Sequence, residues 1–420
     1  MAGARKETDG VEVCLDAEDL GPLTGAGQLL HRRTRAHSTF SFSYAKTWLE
    51  SKQVFALDPR LDLYVGEQFA EDAKGFGVFL DSAPDRWGRL LLDRREAMLA
   101  RAEKRAARSL SEWDYLLGVH DETRMGALRF RRDAAAPFLD DSTPSVPAVT
   151  TLPELEAISL ALEKEGAEEL PTYMQWLATL IAPGTSLGGS RPKANFRETD
   201  ASLWIAKFPS HEDRRDIGAW EKLLHELAGQ CGIVVPQYAL KQFNSSHHTF
   251  CSRRFDRTDS GRRFFVSAMT LLERRDGEGG SYLELADFIE TQGAKGVVQS
   301  DLHQLFRRVL FNVLVGNTDD HLRNHGFIRE PSGWRLAPAY DLNPNPARRV
   351  HALKLDDASD VPDVETVLST AELYRLTQKT ARRVLDEVYA VTREWRKRAK
   401  TGRIAPVEIA AVEAAFSLTV

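Results

Sequence analysis

The sequence predicts an α+β protein in which a small α+β unit precedes a domain with two lobes, the first mixed and the second mostly helical. Short alternating strands and one long helix fill residues 1–132. Strand, helix and strand patterns follow a Gly-rich loop within 151–280, and helical patterns dominate 281–420. A segment rich in Pro, Ser, Asp and Ala, 133–150, is interpreted as the linker between the first unit and the rest.

The composition is that of a globular protein. A chain of 420 residues is too long for one ordinary core, so two or three domains are expected. With 42% hydrophobic residues, 28% charged residues and a net charge of −5, the chain has no general attraction for nucleic acid or an anionic membrane, although a local basic face is compatible with these totals. No apolar run approaches a membrane span, and the N-terminus lacks the apolar core of a secretory signal. We therefore predict a cytoplasmic protein.

The three cysteines point to the same compartment. Cys14, Cys231 and Cys251 lie far apart and form no CxxC pair. We interpret them as reduced packing residues, because neither a disulfide framework nor a structural zinc site has this spacing.

The first unit begins with strands and continues with a helix. Val11, Val13 and Leu15 alternate with polar residues, as do the residues of STFSFSY at 38–44. The segment 83–108 has Pro84 near its start and then strong helix formers. Its many Arg and Lys residues could form a nucleic-acid face. A solvated helix face interleaved with Glu and Asp is the favoured interpretation.

The small lobe alternates helix and strand patterns. LPELEAISLALEKEGAEEL (152–170) predicts a helix, ASLWIAKFP (201–209) a strand, and IGAWEKLLHELAGQCG (217–232) a second helix. YALKQF and HTFCSRRF are predicted to be further strands.

The large lobe contains the most informative segment. DLHQLFRRVLFNVLVGN (301–317) places an apolar stripe on one helix face and ends at Gly316, where such a helix would stop. GNTDDHLRN (316–324) follows it. Next come the strand patterns HGFIR and WRLAPAYDL, joined by EPSG, with Asp341 expected at the end of the second strand.

Asp319, Asn324 and Asp341 form a pattern that suits phosphoryl transfer from ATP. One carboxylate can accept the proton of an attacking hydroxyl, while a second carboxylate and an amide oxygen can bind Mg²⁺. The D-x-x-x-x-N spacing with a downstream aspartate is that of a protein-kinase catalytic loop. Asn, Asp and Gly also suit a plain surface turn, which is the interpretation of this loop in isolation.

Upstream segments could supply the remaining parts. PGTSLGGSRPKANF (183–196) has glycines that let backbone N–H groups approach a phosphate, although a hairpin turn explains it equally well. Lys207, in SLWIAKFP, is the candidate to bind the α- and β-phosphates. Glu221, on the following helix, could orient Lys207 or could face solvent.

These motifs, in this order, resemble those of the HipA family of bacterial serine/threonine kinases, which are toxins of type II toxin–antitoxin modules. The resemblance extends over nearly the whole chain and rests on TSLGGSRPK, IAKFP, RRFDR, LVGNTDDHLRN and LAPAYDL, with FALDPRLDL and FLDSAPDRWGR in the first unit. It implies a two-lobed protein-kinase-like fold with ATP and Mg²⁺ as cofactors.

The resemblance also implies roles for individual residues. Asp319 would be catalytic, Asn324 and Asp341 would bind Mg²⁺, and Ser186 would be autophosphorylated, although Thr185 offers a second hydroxyl beside it. The residues implied in ATP binding are Lys207, Phe255, Asp256, His321, Asn324, Ser186, Gly188, Gly189 and Lys193.

Two positions depart from the family pattern. Arg253 stands where some members have a glutamate near adenine. Asp320 stands where some have a glycine, and it would either reduce nucleotide affinity or face solvent.

His321 and His325 are spaced like a metal pair, but no glutamate of an H-E-x-x-H motif lies between them.

The resemblance implies a small helix-turn-helix antitoxin of the HipB type as partner, DNA contact only through that antitoxin, and a translation component such as an aminoacyl-tRNA synthetase as substrate. Two other functions remain open on the residues alone. One is a non-catalytic, nucleotide-responsive corepressor that acts through the antitoxin. The other is a metal-dependent phosphodiesterase that uses Asp319, Asp320 and His321 without ATP.

Overall fold

The computed structural model describes residues 7–34, 37–139, 146–181, 189 and 191–416. These residues form an α+β protein, as the sequence predicts. They divide into two compact units. The first comprises residues 1–206 and 256–266, and the second comprises residues 207–255 and 267–420.

The first unit is built on a five-stranded sheet in the order β4-β3-β2-β1-β5. Its strands are β1 (Glu7–Leu15), β2 (Thr24–Arg33), β3 (Ser38–Tyr44), β4 (Gln68–Phe69) and β5 (Leu128–Arg131). The alternating residues Val11, Val13 and Leu15 are buried as predicted. Cys14 is buried as well, because the pairing of β1 with β2 shifts register between Val13 and Cys14.

Helices and a second strand pair complete the first unit. Its helices are α1 (Lys46–Leu49), α2 (Gly77–Asp81), α3 (Arg86–Ala102), α4 (Glu112–Leu117), α5 (Leu152–Leu162) and α6 (Tyr173–Ile181). β6 (Lys193–Arg197) and β7 (Leu203–Lys207) are neighbours in one sheet, and Lys207 already belongs to the second unit. α3 begins one residue after Asp85, whose carboxylate accepts a hydrogen bond from the N–H of Gly88. Helices are present where 83–108 and 152–170 predict them, but α3 ends at Ala102 and α5 ends at Leu162, earlier than predicted.

The second unit is mostly helical. Its elements are α7 (Ile217–Gln230), β8 (Tyr238–Lys241), β9 (Thr249–Arg253), β10 (Phe265–Ser267, which contains the boundary), α8 (Ala268–Leu271), β11 (Gly280–Ser281), α9 (Tyr282–Gln292), α10 (Val298–Val315), β12 (Gly326–Glu330), β13 (Gly333–Leu336), β14 (Leu353–Lys354), α11 (Val364–Ser369), α12 (Gln378–Thr392), α13 (Trp395–Thr401) and α14 (Pro406–Val412). α10 packs against α9 and α12, and its predicted apolar stripe is buried. The helix is thus a fixed support for the loop that follows it.

The hairpin after that loop is shorter than predicted. β12 and β13 pair antiparallel from Phe327↔Leu336 to Glu330↔Gly333. β13 ends at Leu336, so the expectation that Asp341 ends this strand is wrong. Pro338 has no N–H for a ladder hydrogen bond and explains the early end.

Two further observations concern the cysteines and the lengths of the helices. The three cysteines are buried, and no disulfide joins them in the described part of the chain. No helix among the described residues is long and apolar enough to cross a membrane.

Candidate active site

The end of α10 sets the start of the candidate catalytic loop. Gly316 caps the helix in the left-handed conformation, with φ at 61°. A Cβ on Gly316 would lie 2.4 Å from the carbonyl oxygen of Ala415, so glycine is required there for both backbone and space. The loop therefore leaves the buried helix at a fixed angle.

Asp320 anchors this loop from inside the second unit. Its carboxylate Oδ2 accepts hydrogen bonds from Tyr282 Oη at 2.7 Å and Asn312 Nδ2 at 2.9 Å, and it lies 2.6 Å from His325 Nε2. Burial alone would raise the pKa of Asp320, but His325 and Tyr282 outweigh burial and hold the pKa below its ordinary value. Asp320 is 2% exposed, so the suggestion that it faces solvent is wrong.

Asp319, the neighbour of this anchor, points outward. Its side chain is 66% exposed, and its Oδ1 lies 3.1 Å from Nη1 of Arg348. Asn324 is mostly buried, and its side-chain amide makes a long hydrogen bond of 3.4 Å to the Asp319 carbonyl oxygen. The loop thus presents one accessible carboxylate with an amide from the same loop beside its backbone.

Lys207 joins two carboxylates from different elements. Its Nζ lies 2.6 Å from Glu221 Oε1 on α7 and 2.8 Å from Asp341 Oδ1. Burial alone would lower the pKa of Lys207, but Asp341 and Glu221 outweigh burial and raise the pKa above its ordinary value, so Lys207 stays cationic. Glu221 is 2% exposed, so its solvent-facing interpretation is wrong. Asp341 adopts φ 58°, a left-handed conformation that aspartate tolerates better than most residues.

The segment around Asp341 is tied to the catalytic loop. Tyr340 donates its hydroxyl to the Arg323 carbonyl oxygen at 2.7 Å. The Phe255 ring stacks on Tyr340 with centroids 5.4 Å apart. Phe255, implied near adenine, therefore contacts the residue that precedes Asp341.

The residues present fit a nucleotide with Mg²⁺. Asp341 and Asn324 carry the carboxylate and amide oxygens that Mg²⁺ prefers, with phosphate oxygens and waters to complete an octahedron. Nδ1 of His321 is buried and has no hydrogen-bond partner among the described residues, as expected of a group that awaits an acceptor such as phosphate.

Other implied site residues belong to the first unit or lie outside the described residues. Lys193 is buried, and its Nζ lies 2.9 Å from Asp85 Oδ2 and donates to the Gly189 carbonyl oxygen at 2.8 Å. Asp256 is also buried, and its Oδ2 accepts from Gly126 N–H and from Arg257. Thr185, Ser186 and Gly188 lie outside the described residues.

The sequence pattern does not predict the contact between Arg348 and Asp319. It lies 29 residues after Asp319, and only the return of the chain brings the two side chains together. The basic pair Arg348–Arg349, shortly after Asp341, is the sequence feature that could have indicated a cation near the catalytic loop. Arg253, noted as a departure, makes a long hydrogen bond of 3.4 Å to Gln237.

Two buried histidines make the second unit sensitive to acid. Burial lowers the pKa of His225, behind Glu221, and of His351, near Asp320, to about 4 each. The unfolded chain binds these protons near pH 6.5 and the folded chain only near 4, so stability falls as the pH drops through this window. At pH 5 we expect a loss of about 2 kcal/mol per histidine relative to pH 7.5.

Urea unfolding between pH 7.5 and 5 measures this loss, followed by hydrogen exchange in α7 and α10. His225→Gln and His351→Gln should each flatten the pH dependence, whatever their effect at pH 7.5. His37→Gln, at an exposed position of the first unit, is the control and should leave the pH dependence of stability unchanged. An equal slope in the wild type and in both buried-site variants would contradict the prediction.

Comparisons with known proteins identify a family. The family model described as HipA-like C-terminal domain matches residues 185–395. A putative kinase of Haemophilus influenzae is 28% identical over 200 residues, which are 41% of this chain and 57% of that protein. The putative kinase Y4dM of Sinorhizobium fredii is 27% identical over 165 residues, or 34% of this chain and 38% of that protein. The matches thus span about half or less of these curated relatives.

A solved structure matches nearly the whole chain. HipA of Shewanella oneidensis, in a complex with HipB and its operator DNA, superposes with a TM-score of 0.65 at 19% identity, over 97% of this chain and 95% of that one. At this identity the match shows the fold, and it confirms the predicted fold class.

Proposed function

This chain belongs to the family with a HipA-like C-terminal domain, and from that premise we propose that it is a kinase that transfers the γ-phosphate of ATP to a serine or threonine hydroxyl with Mg²⁺. One observation carries the proposal. Lys207 bridges Glu221 and Asp341 in the same unit whose loop exposes Asp319 and anchors Asn324. A cation for phosphates, oxygens for Mg²⁺ and an accessible carboxylate are the groups that this transfer requires.

Each residue has a distinct task in this proposal. Asp319 orients the attacking hydroxyl and accepts its proton as the new O–P bond forms. Lys207, held by Glu221, binds the α- and β-phosphates, and Asp341 with Asn324 would hold Mg²⁺, which neutralises charge on the phosphates when bound. Because the buried contacts of Asp320 hold the loop, we expect Asp319 to be in position before substrate arrives.

The biological context is part of the proposal. The Shewanella structure is a toxin–antitoxin complex of HipA with HipB and operator DNA. We infer that this chain is likewise a toxin whose partner is a HipB-like antitoxin and that it contacts DNA only through that partner. Its substrate would be a translation component such as an aminoacyl-tRNA synthetase, and Ser186 or Thr185 of its own Gly-rich loop would be a second acceptor.

Intact mass measured with and without Mg-ATP, followed by peptide mapping, tests the activity. We expect one added phosphate within 183–196, on Ser186 or Thr185, and no addition when EDTA removes Mg²⁺. Tight Mg-ATP binding without a mass change would restrict the kinase to its external target. The absence of both binding and transfer would overturn the proposal in favour of the non-catalytic corepressor, and phosphodiesterase activity that needs metal but no ATP would overturn it in favour of that enzyme.

A further inference from the structure

We propose that Arg348 is a further catalytic residue, whose guanidinium donates hydrogen bonds to the transferring phosphoryl group beside Asp319. This inference rests on the proposed kinase function and adds a residue to which neither the catalytic-loop pattern nor the metal pattern assigns a role. Its starting point is the 3.1 Å contact between Arg348 Nη1 and Asp319 Oδ1.

The backbone holds Arg348 in place next to the catalytic loop. Ala352 donates its N–H to the Thr318 carbonyl oxygen at 2.9 Å, and Asn345 donates to Gly316 at 2.9 Å. Thr318 Oγ1 makes a long hydrogen bond of 3.4 Å to the Arg348 carbonyl oxygen. Beyond this segment, β14 pairs parallel with β11. The segment 345–352 is therefore bonded to the residues directly before Asp319, so its position beside the loop does not depend on the ion pair.

Stability does not account for the ion pair. The Arg348 side chain is 40% exposed and that of Asp319 is 66% exposed. Exposed pairs of this kind contribute only about 0 to 1 kcal/mol, and salt screens them. The ion pair between Arg348 and Asp319 therefore contributes little to stability. A role in the reaction explains better why a cation lies beside the reactive carboxylate.

The geometry places Arg348 within reach of the phosphoryl group. A hydroxyl hydrogen-bonded to Asp319 has its oxygen about 3 Å from the carboxylate, and a reacting phosphorus lies about 3 to 3.5 Å beyond that oxygen. Arginine has five N–H donors in a planar fork, so one can stay on Asp319 while others reach equatorial phosphoryl oxygens. Lys207, held between Glu221 and Asp341, is assigned to the α- and β-phosphates, so Arg348 supplies the charge at the γ-position.

The transfer of the γ-phosphoryl group needs no reactant other than ATP and the hydroxyl. The hydroxyl oxygen supplies the electron pair of the new O–P bond, and its proton passes to Asp319. The bond between the γ-phosphorus and the bridging oxygen breaks, and its electron pair leaves with ADP. Arg348 stabilises the negative charge on the equatorial oxygens during this exchange and is itself unchanged.

Three variants test the assignment in single-turnover reactions of the full chain with saturating Mg-ATP, in which ADP formation gives the rate constant whether the phosphate goes to the chain itself or to water. Arg348→Ala should lower the transfer rate constant by about 10³-fold or more, because arginines that act on a transferring phosphoryl group contribute about 10³- to 10⁵-fold. Its Mg-ATP dissociation constant should stay within about threefold, because Lys207 and Asp341 remain. Arg348→Lys should retain part of the rate. Arg349→Ala is the matched control: Arg349 is exposed, it has no ion-pair partner among the described residues, and its removal should leave the rate unchanged within about threefold.

A double-mutant cycle separates direct action from action through Asp319. If Arg348 acts on the phosphoryl group, Arg348→Ala should lower the residual ADP formation of an Asp319→Ala chain about tenfold or more. No further loss in that background would make Arg348 a positioning residue and overturn the proposal. An unchanged rate constant in Arg348→Ala, or a change only in the Mg-ATP dissociation constant, would overturn it as well. If the wild type neither binds Mg-ATP nor transfers phosphate, the kinase proposal fails first and this inference fails with it.

Discussion

Asp319→Ala is expected to lower the rate constant of phosphate transfer by about 10²- to 10⁴-fold, the usual contribution of a positioned acid–base group. The Mg-ATP dissociation constant should change by less than about threefold, because Lys207, Asn324 and Asp341 remain in place. The fold should persist, since the Asp319 side chain is 66% exposed and the buried anchor of the loop is Asp320. Single-turnover phosphorylation measured by intact mass, with Mg-ATP binding by calorimetry, checks both parts.

Two companion variants make this result specific. Asp386→Ala removes an exposed carboxylate on α12 and should transfer phosphate at the wild-type rate. Asp341→Ala should abolish transfer and also the Mg²⁺-dependent part of nucleotide binding, because it removes the carboxylate assigned to the metal. An Asp319→Ala chain with full turnover would rule out the carboxylate mechanism, whatever the other two variants do.

Local patterns predicted the parts of the site that depend on neighbouring residues. The apolar stripe of α10 and the stop at Gly316 are set within one helix, and both are present in the structure. Glu221 lies 14 residues after Lys207, on the next helix, and one of its two predicted orientations is correct. Such features need no knowledge of how distant segments meet.

Contacts between distant segments could not be predicted in the same way. Asp320 looks like a turn residue in sequence, yet Tyr282 and Asn312 enclose it from two other helices. The family resemblance implies that Lys193 binds ATP, but its buried partner Asp85 lies 108 residues earlier in the chain. In both cases the sequence shows the charge but not the partner, and the partner decides whether the charge is buried or accessible.

Lys207→Met is expected to remove phosphate transfer and, separately, to destabilise the second unit by about 3 to 5 kcal/mol. The structural effect arises because Glu221 is 2% exposed and loses the cation that lies 2.6 Å from it. A buried carboxylate without that cation must be desolvated as an anion or take up a proton, and both cost free energy. Urea unfolding, followed by hydrogen exchange in α7, measures this loss.

The double variant Lys207→Met/Glu221→Gln separates the two roles of Lys207. Replacing the carboxylate by an amide of similar volume removes the buried charge, so more than half of the lost stability should return while phosphate transfer stays absent. Lys222→Met is the matched control on the same helix: its ion pair with Glu226 is 35% and 28% exposed and should contribute less than about 1 kcal/mol. If the double variant regained transfer together with stability, Lys207 would act only as a structural counterion of Glu221. Recovery of stability alone would instead assign the cation at Lys207 to the nucleotide phosphates.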